Sequence, residues 1–186
     1  DVGSVTLYRD GRPLLIDVGV ETYSKKTFSP QRYEIWTMQS GWHNLPQFDP
    51  DGAKYDQQPG AEFAAADVTV TDALDGLAMD LAPAYGSVPG LGRYRRSVHL
   101  TDTGLTVHDE TDYPGTVALT LMSVEKPAVN GDTVAFGALA AAAVTGADKI
   151  VTEAVPITDP RLRQAWPDTL YRTRIYFTQQ LSLVIE

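Results

Sequence analysis

The sequence has 186 residues, of which 43% are hydrophobic and 21% are charged, so it fits one globular domain with an ample core and excludes a disordered chain. Its formal net charge of −9 argues against nucleic acids and anionic membranes as bulk partners. It contains no cysteine, which excludes disulfides and thiolate metal sites, and no apolar run approaches the roughly 18 residues of a membrane helix.

Short alternating runs separated by turn residues begin at the start of the chain. Residues 4–19 predict a hairpin that turns at Asp10-Gly11, a pair that is among the strongest short hairpin signals. Alternation over residues 32–39 and 67–74 predicts two more strands. The segment 49–52, Asp-Pro-Asp-Gly, reads as a turn because the rest of a calcium loop is missing.

The second half of the chain continues the same pattern. A hairpin is expected around residues 101–104, with Val98 and Leu100 facing Leu105 and Val107. Five further runs predict strands up to the C-terminus: 116–125, 132–136, 149–157, 170–178 and 181–186. The alanine-rich run 138–146 is ambiguous between helix and strand. The sequence therefore predicts an all-β fold, a single large antiparallel β-sandwich over residues 1–186.

Helical signals are few. Asp159 is a candidate helix cap and Pro160 suits a first helical position, which predicts one or two turns there. At most one or two short helices are expected in the whole chain. Gly and Pro are distributed along the whole chain at turns between the predicted strands and form no linker, so we do not divide the chain into domains.

Two residues are candidates for site chemistry. Asp17 ends an apolar run, so its carboxylate either caps the following turn or serves as a ligand or acid at the end of a strand. His43 lies between Trp42 and Asn44 and is either a hydrogen-bonded structural residue, a metal ligand or a proton-transfer group. Spacing alone does not show whether the two residues meet, and together they fall short of the usual three or four zinc ligands.

Other polar groups favour plain structural roles. His99 and His108 lie on the two arms of the second hairpin, on the side away from its apolar residues, and are predicted to face solvent. The basic cluster at residues 93–96 is interpreted as the solvated face of a strand. The chain contains no phosphate-binding loop, nucleophile elbow or HExxH motif.

The order of three motifs resembles a known family. Residues 1–23 (DVGSVTLYRDGRPLLIDVGVETY), then the His-Asn pair at 43–44 and the QxPG motif at 57–60, are similar to the C-terminal β-sandwich domain of the heparinase II/III-like polysaccharide lyases. The likeness covers residues 1–66 best and thins to a general strand pattern afterwards. Members of this family join a helical toroid to such a sandwich and cleave uronic-acid-containing polysaccharides by β-elimination.

The resemblance implies a site. It assigns Asp17 and His43 as ligands of a metal, commonly zinc, whose remaining histidine ligand would precede Asp1. Trp42, Asn44 and Tyr23 are the predicted substrate-binding residues, the partner being an anionic polysaccharide or oligosaccharide. The catalytic residues are unknown and are expected in an N-terminal part outside this sequence.

The resemblance also implies that the chain is a fragment of a longer lyase. By itself it is expected to be inactive and to hold zinc weakly, with a secreted or periplasmic location favoured over a cytoplasmic one. Two hypotheses from other functional classes stay open. One is a carbohydrate-binding module that stacks sugars on aromatic residues, with candidates Tyr23, Tyr33, Trp36, Trp42 and Tyr55. The other is a structural or dimerising sandwich.

Overall fold

The computed structural model describes residues 1–186 and contains fourteen strands. In chain order these are β1 (Leu7–Arg9), β2 (Arg12–Leu15), β3 (Pro46–Phe48), β4 (Ala66–Val70), β5 (Gly76–Asp80), β6 (Tyr94–Leu100), β7 (Leu105–Thr111), β8 (Val117–Ser123), β9 (Pro127–Asn130), β10 (Thr133–Phe136), β11 (Ala140–Thr145), β12 (Lys149–Pro156), β13 (Thr169–Phe177) and β14 (Gln180–Ile185). No helix in the structure has the length and hydrophobicity needed to span a bilayer.

The strands form two antiparallel sheets, which confirms the predicted all-β sandwich. The six-stranded sheet has the order β1-β2-β8-β13-β12, and β3 pairs with β8 beside β2. The eight-stranded sheet has the order β4-β5-β6-β7-β14-β11-β10-β9. The strand β8 is buried along its whole length because both faces of its sheet are covered.

Both predicted hairpins are confirmed. The β1–β2 turn has positive φ at Asp10 (50°) and Gly11 (73°), the backbone that an Asp-Gly pair accommodates. In the β6–β7 hairpin Val98 pairs with Val107 and Leu100 with Leu105, as the alternation predicts.

The core lies between the two sheets. A cluster of 24 buried residues contains aromatic side chains such as Phe48, Tyr85 and Phe177, and three of its aromatic neighbours meet the Phe48 ring edge-on. A smaller cluster of 7 buried residues, including Met122 and Leu170, lies on the outer face of the six-stranded sheet. The six-stranded sheet is therefore the middle layer of the molecule.

The chain also contains short 3₁₀ helices, most of which cover this outer face. They are Lys26–Phe28, Pro30–Glu34, Trp36–Met38, Ser40–Trp42, Leu162–Gln164 and, in the core between the sheets, Ala82–Tyr85. These are more numerous than the one or two expected, although none exceeds five residues. The last of them along the chain follows Asp159, whose Oδ1 accepts hydrogen bonds from the backbone N–H groups of Arg161 and Leu162. The predicted helical turn is present, but it begins at Leu162 with Arg161 as its N-cap and so starts after Pro160.

Two local predictions change. The strand expected over residues 32–39 is wrong, because Ser29 caps a 3₁₀ helix that begins at Pro30 and the following backbone bonds join residues three apart. No neighbouring strand pairs with this segment, so its alternation does not describe a sheet face. The ambiguous alanine-rich run is strand β11, where Ala142 and Val144 fill the narrow inner face between β10 and β14.

Candidate metal centre

Three distant segments bring one cluster of possible ligands together. Asp1 opens the chain, Asp17 follows β2, and His43 follows the Ser40–Trp42 helix, yet one donor atom from each lies within 4.8 Å of the others. The His43 side chain is only 4% exposed, whereas the two carboxylates are 45% and 44% exposed. The cluster thus has a buried imidazole at its base and two carboxylates open to solvent.

The hydrogen bonds of His43 decide what the cluster can hold. Its Nε2 lies 3.1 Å from the carbonyl oxygen of Thr37, and since a carbonyl only accepts, this nitrogen carries a proton. The Nδ1 atom lies 3.3 Å from Asp17 Oδ2. In a neutral ring that nitrogen presents a lone pair to the carboxylate, which is repulsive unless a proton or a metal cation lies between them. The pair therefore shares either a proton, as the hydrogen bond of an imidazolium to a carboxylate, or a metal cation.

Asp17 is oriented by its own turn. Its Oδ1 accepts a hydrogen bond of 2.7 Å from the backbone N–H of Gly19, which leaves Oδ2 directed at His43. The hydrogen bond with His43 holds the pKa of Asp17 below the ordinary aspartate value, against an increase from burial. Asp17 is thus both a turn cap and a ligand candidate, the two interpretations that its sequence position left open.

The third possible ligand, Asp1, was not among the predicted ones. Its Oδ1 lies 3.6 Å from His43 Nε2. Nitrogen and carboxylate donors of this kind suit zinc but are also used by other divalent cations, so the ligand set does not specify the metal.

Asn44 lies beneath the cluster instead of on its surface. It is 2% exposed; its Nδ2 donates to the carbonyl oxygens of Val5 and Ile16, and its Oδ1 accepts from the backbone N–H of Met122. The amide therefore joins the N-terminal arm, the end of β2 and β8, and it has no polar atom free for a substrate.

Trp42 is half-buried and is held between two side chains. The Arg172 guanidinium carbon lies 3.6 Å from its ring centroid, and the Trp36 ring meets it edge-on at 4.9 Å. Arg172 also donates to the Gly41 carbonyl oxygen and pairs with Glu153. The predicted sugar-stacking ring therefore has one face already occupied by a cation.

Tyr23, the third predicted substrate contact, is 55% exposed. It contacts Phe28 edge-on at 5.4 Å and lies under the guanidinium of Arg161 at 4.4 Å. The structure thus places it on the outer surface, among residues of the covering layer.

The sequence analysis missed a buried ion pair that supports the candidate metal centre. Arg96 and Asp109 are both 1% exposed or less and share two hydrogen bonds of 2.8 and 2.6 Å. The remaining Arg96 nitrogen donates to the carbonyl oxygens of Gly3 and Asn44, at 2.8 and 3.0 Å. Arg96 therefore ties the arm that bears Asp1 to the segment that bears His43.

The interpretation of residues 93–96 as a solvated face is thus wrong at Arg96. Strand alternation sends the side chain of Arg96 inward with Tyr94, whose hydroxyl donates to Asp109. The alternation was visible in the sequence, but the inward carboxylate partner on β7 was not. His99 and His108 are exposed, as predicted, and contact Asp75 and Ser182 instead of each other.

A further carboxylate near the centre, outside the ligand cluster, is incompletely paired. Asp56 is half-buried, and its Oδ1 has no hydrogen-bond partner. Burial raises the pKa of Asp56, while the backbone N–H groups of Gly41 and Ser40 and the charge of His43 lower it to a smaller degree. The turn before His43 thus contacts a carboxyl group that has unused hydrogen-bonding capacity.

Fold and cluster together define an all-β sandwich with a candidate metal centre at one end of its middle sheet. The same fold occurs in heparinase III, which superposes with a TM-score of 0.65 and 18% identity over 98% of this chain and 29% of that chain. Heparan sulfate lyase HepC from Pedobacter heparinus superposes, as a mutant, with a TM-score of 0.66 and 15% identity, over 98% and 30% of the two chains. Unmutated HepC gives 0.62 and 13%, with the same coverage.

These matches confirm the resemblance at the level of the fold. The chain spans about 30% of the length of the proteins it matches, as a domain of a larger protein does. No family model matches the chain, and no curated protein matches it either.

Proposed function

We propose that this chain is the β-sandwich domain of a polysaccharide lyase and supports β-elimination on uronic-acid-containing polysaccharides. The observation that carries the proposal is the superposition of 98% of the chain on proteins named heparinase III and heparan sulfate lyase. The Asp17–His43 pair, which the resemblance assigns to a metal site, adds support because its atoms lie together in the structure. A bacterial source and an exported location, secreted or periplasmic, belong to the same proposal.

Elimination requires three tasks. The uronate carboxylate must be neutralised, the C5 proton removed by a base, and the leaving oxygen protonated. With a net charge of −9 and a buried His43, this chain is poorly equipped to perform all three alone. We therefore assign the main catalytic groups to a further part of a longer chain, and we expect residues 1–186 alone to be inactive.

The proposed part of this domain is to shape and close the cleft. A divalent cation, with zinc the choice implied by the resemblance, would be held by Asp17 and His43, with Asp1 as an additional carboxylate. When bound, it would take the place of the proton between Asp17 and His43 Nδ1 and hold the three segments together. Arg96 positions the same segments from below.

The proposed substrate contacts are Trp42, through the accessible part of its half-buried ring, and Tyr23, through its exposed ring. Substrate contact by Asn44 stays a prediction, although its three protein hydrogen bonds favour a supporting part.

A carbohydrate-binding module is the second candidate function. The exposed aromatic residues favour it, since Tyr23 is 55% and Tyr33 is 45% exposed on the covering layer. Glycan binding that is lost in Tyr23→Ala and is indifferent to chelators would favour this candidate over a metal-dependent lyase domain.

The lyase proposal is tested on the longest natural chain that contains these residues. It is incubated with a panel of uronate polysaccharides while the ultraviolet absorbance of the unsaturated product is followed, in parallel with His43→Ala and with His108→Ala as a matched control. We expect product from the parent and from His108→Ala, and at least about tenfold less from His43→Ala. A folded parent that gives no product on any polymer would overturn the proposal.

The proposed metal centre is tested on residues 1–186 by equilibrium dialysis against zinc. We expect binding at about one equivalent that weakens by about 10–100-fold in Asp17→Asn and His43→Ala. The His108→Ala variant should bind as the unmodified chain does. Equal binding by all four proteins would contradict the assignment of Asp17 and His43 as ligands.

A further inference from the structure

The outer face of β13 carries a line of polar and aromatic side chains. Because side chains alternate along a strand, Arg172, Arg174 and Tyr176 point away from the core that Ile175 and Phe177 enter. On the neighbouring strand β12, Lys149 pairs opposite Tyr176. These residues extend the covered outer face beyond Trp42, toward the other end of the sheet.

Arg172 and Arg174 differ in how their charges are used. Arg172 donates from Nε to Glu153 Oε1 at 2.6 Å and from a second nitrogen to the Gly41 carbonyl oxygen at 3.0 Å, and it stacks on Trp42. It is therefore committed to holding the turn that precedes His43.

The side chain of Arg174 makes no hydrogen bond. The nearest carboxylate oxygens are Glu153 Oε1 at 3.8 Å and Asp51 Oδ1 at 4.0 Å, both too far for one. The first already accepts from Arg172 and the second from the Tyr176 hydroxyl. The Arg174 Nε is buried without a partner and is closed to solvent, whereas the two terminal nitrogens make no hydrogen bond and belong to a side chain that is 21% exposed. This guanidinium has donors left for an anion that arrives from solvent.

The local charge also favours an anion. Arg172, Arg174 and Lys149 supply three positive charges on this face, against the two carboxylates of Glu153 and Asp51. Burial lowers the pKa of Arg172, and the charge of Arg174 lowers it further, as expected where cations are crowded. In a chain of net charge −9 this face is a local exception.

We propose that Arg174, assisted by Lys149, forms an anion-binding subsite that takes a carboxylate or sulfate group of a polysaccharide chain. The planar guanidinium suits bidentate recognition of such groups. The Arg172–Gly41 hydrogen bond connects the subsite with the turn that precedes His43, so one polymer chain could follow the outer layer toward the candidate metal centre. The inference rests on the proposed function, since it deepens the account of the same substrate class.

The test measures polymer binding by residues 1–186 at low salt, using titration calorimetry. The probes are heparan sulfate, an unsulfated polyuronate, dextran sulfate, which lacks uronate, and neutral dextran. We expect heparan sulfate to bind, because it carries both groups, and neutral dextran not to bind. Polyuronate and dextran sulfate each carry only one of the two groups, and at least one of them should bind. Binding to polyuronate but not dextran sulfate would identify the carboxylate as the recognised group, and the reverse would identify the sulfate.

Variants separate this subsite from general charge. The Arg174→Gln variant should bind about tenfold more weakly, because a charge-assisted bidentate contact is lost. Arg174→Lys should lie between, since it keeps the charge without the planar fork. The matched control is Arg93→Gln, which removes an exposed charge just before β6 in the other sheet and should change binding less than twofold. Circular dichroism confirms that each variant is folded.

Two results would overturn the subsite. One is an equal loss in Arg174→Gln and Arg93→Gln, which would mean that only net charge matters; the other is no binding of any polyanion by the unmodified chain. Failure of the lyase proposal is separate: binding that depends on Arg174 in a parent without elimination activity would remove the lyase and keep the subsite. Elimination by the parent together with unchanged polymer binding in Arg174→Gln would remove the subsite and keep the lyase proposal.

Discussion

The two faces of the six-stranded sheet are built in different ways. Its inner face packs against the eight-stranded sheet through 24 buried hydrophobic residues, most of them on regularly alternating strands. Its outer face has 7 buried residues, against which Trp36, Trp42 and Trp166 pack from irregular segments. Strand register fixes the inner layer, whereas individual side-chain contacts hold the outer one.

Polar groups on the two sides differ in the same sense. Inside, Arg96 and Asp109 are buried and hydrogen-bonded to each other and to their surroundings. Outside, Arg174 has a buried Nε atom with no partner, and on the inner face the Thr173 hydroxyl lacks one as well. Buried polar atoms are normally paired, so the unpaired guanidinium on the solvent side of the sheet is a candidate ligand group, whereas the enclosed Thr173 hydroxyl is out of reach of a ligand. The interior supplies stability and the outer layer supplies the candidate site.

The largest expected effect on stability comes from breaking the buried Arg96–Asp109 ion pair in the interior. Replacing Arg96 in Arg96→Met leaves the Asp109 charge buried without its partner and should lower the free energy of unfolding by about 3–5 kcal/mol. The matched change on the outer face, Arg174→Met, should stay within about 0.5 kcal/mol, because that guanidinium has no hydrogen bond to lose. Urea unfolding of both variants measures the difference.

The double variant Arg96→Met/Asp109→Leu identifies the cause. It should recover much of the loss, since both charges are then gone and apolar side chains of similar size replace them. Equal losses of unfolding free energy in Arg96→Met and Arg174→Met would contradict the proposed difference between the two layers.

A smaller effect is expected from the covering layer itself. Replacing Trp42 in Trp42→Ala removes a half-buried ring and leaves Arg172 without its stacking partner, which should cost about 2 kcal/mol. Trp42→Phe should keep more than half of that contribution. Limited proteolysis should then cleave residues 25–42 faster in Trp42→Ala while the sheets stay resistant. Uniform cleavage along the chain would show that the outer layer does not open separately.

The sequence predicted the interior well because its signals are local. Alternation and the Asp10-Gly11 turn are set by residues close in the chain, and the register of both hairpins follows from them. The sequence failed over residues 32–39, where an apparent alternation belongs to 3₁₀ helices. Local pattern does not reveal whether a neighbouring strand exists to pair with such a segment.

The candidate centre was partly predictable, for a different reason. The resemblance proposed Asp17 and His43 as partners, and their side chains are 3.3 Å apart. Neither Asp1 as a third donor nor the support from Arg96 was foreseen, because both depend on contacts across long separations, such as the 93 residues between Gly3 and Arg96. Such contacts have no signature in a single sequence.

The smallest expected effect concerns Asp56 and sharpens the contrast between a paired and an unpaired buried carboxylate. Burial raises the pKa of Asp56, so the folded protein holds this proton to higher pH than the unfolded chain does. Its contribution to stability is therefore complete below the unfolded pKa of about 3.9 and is lost as pH rises through the folded pKa. Asp56→Asn has no such loss, so its stability relative to the unmodified chain should rise with pH above about 4 and then level off, by about 1 kcal/mol or less.

Denaturant unfolding from pH 3.5 to 8 measures this difference, and the exposed control Asp132→Asn should show none of the rise. A difference that is flat, or that falls with pH, would mean that the Asp56 carboxylate is satisfied in the folded protein.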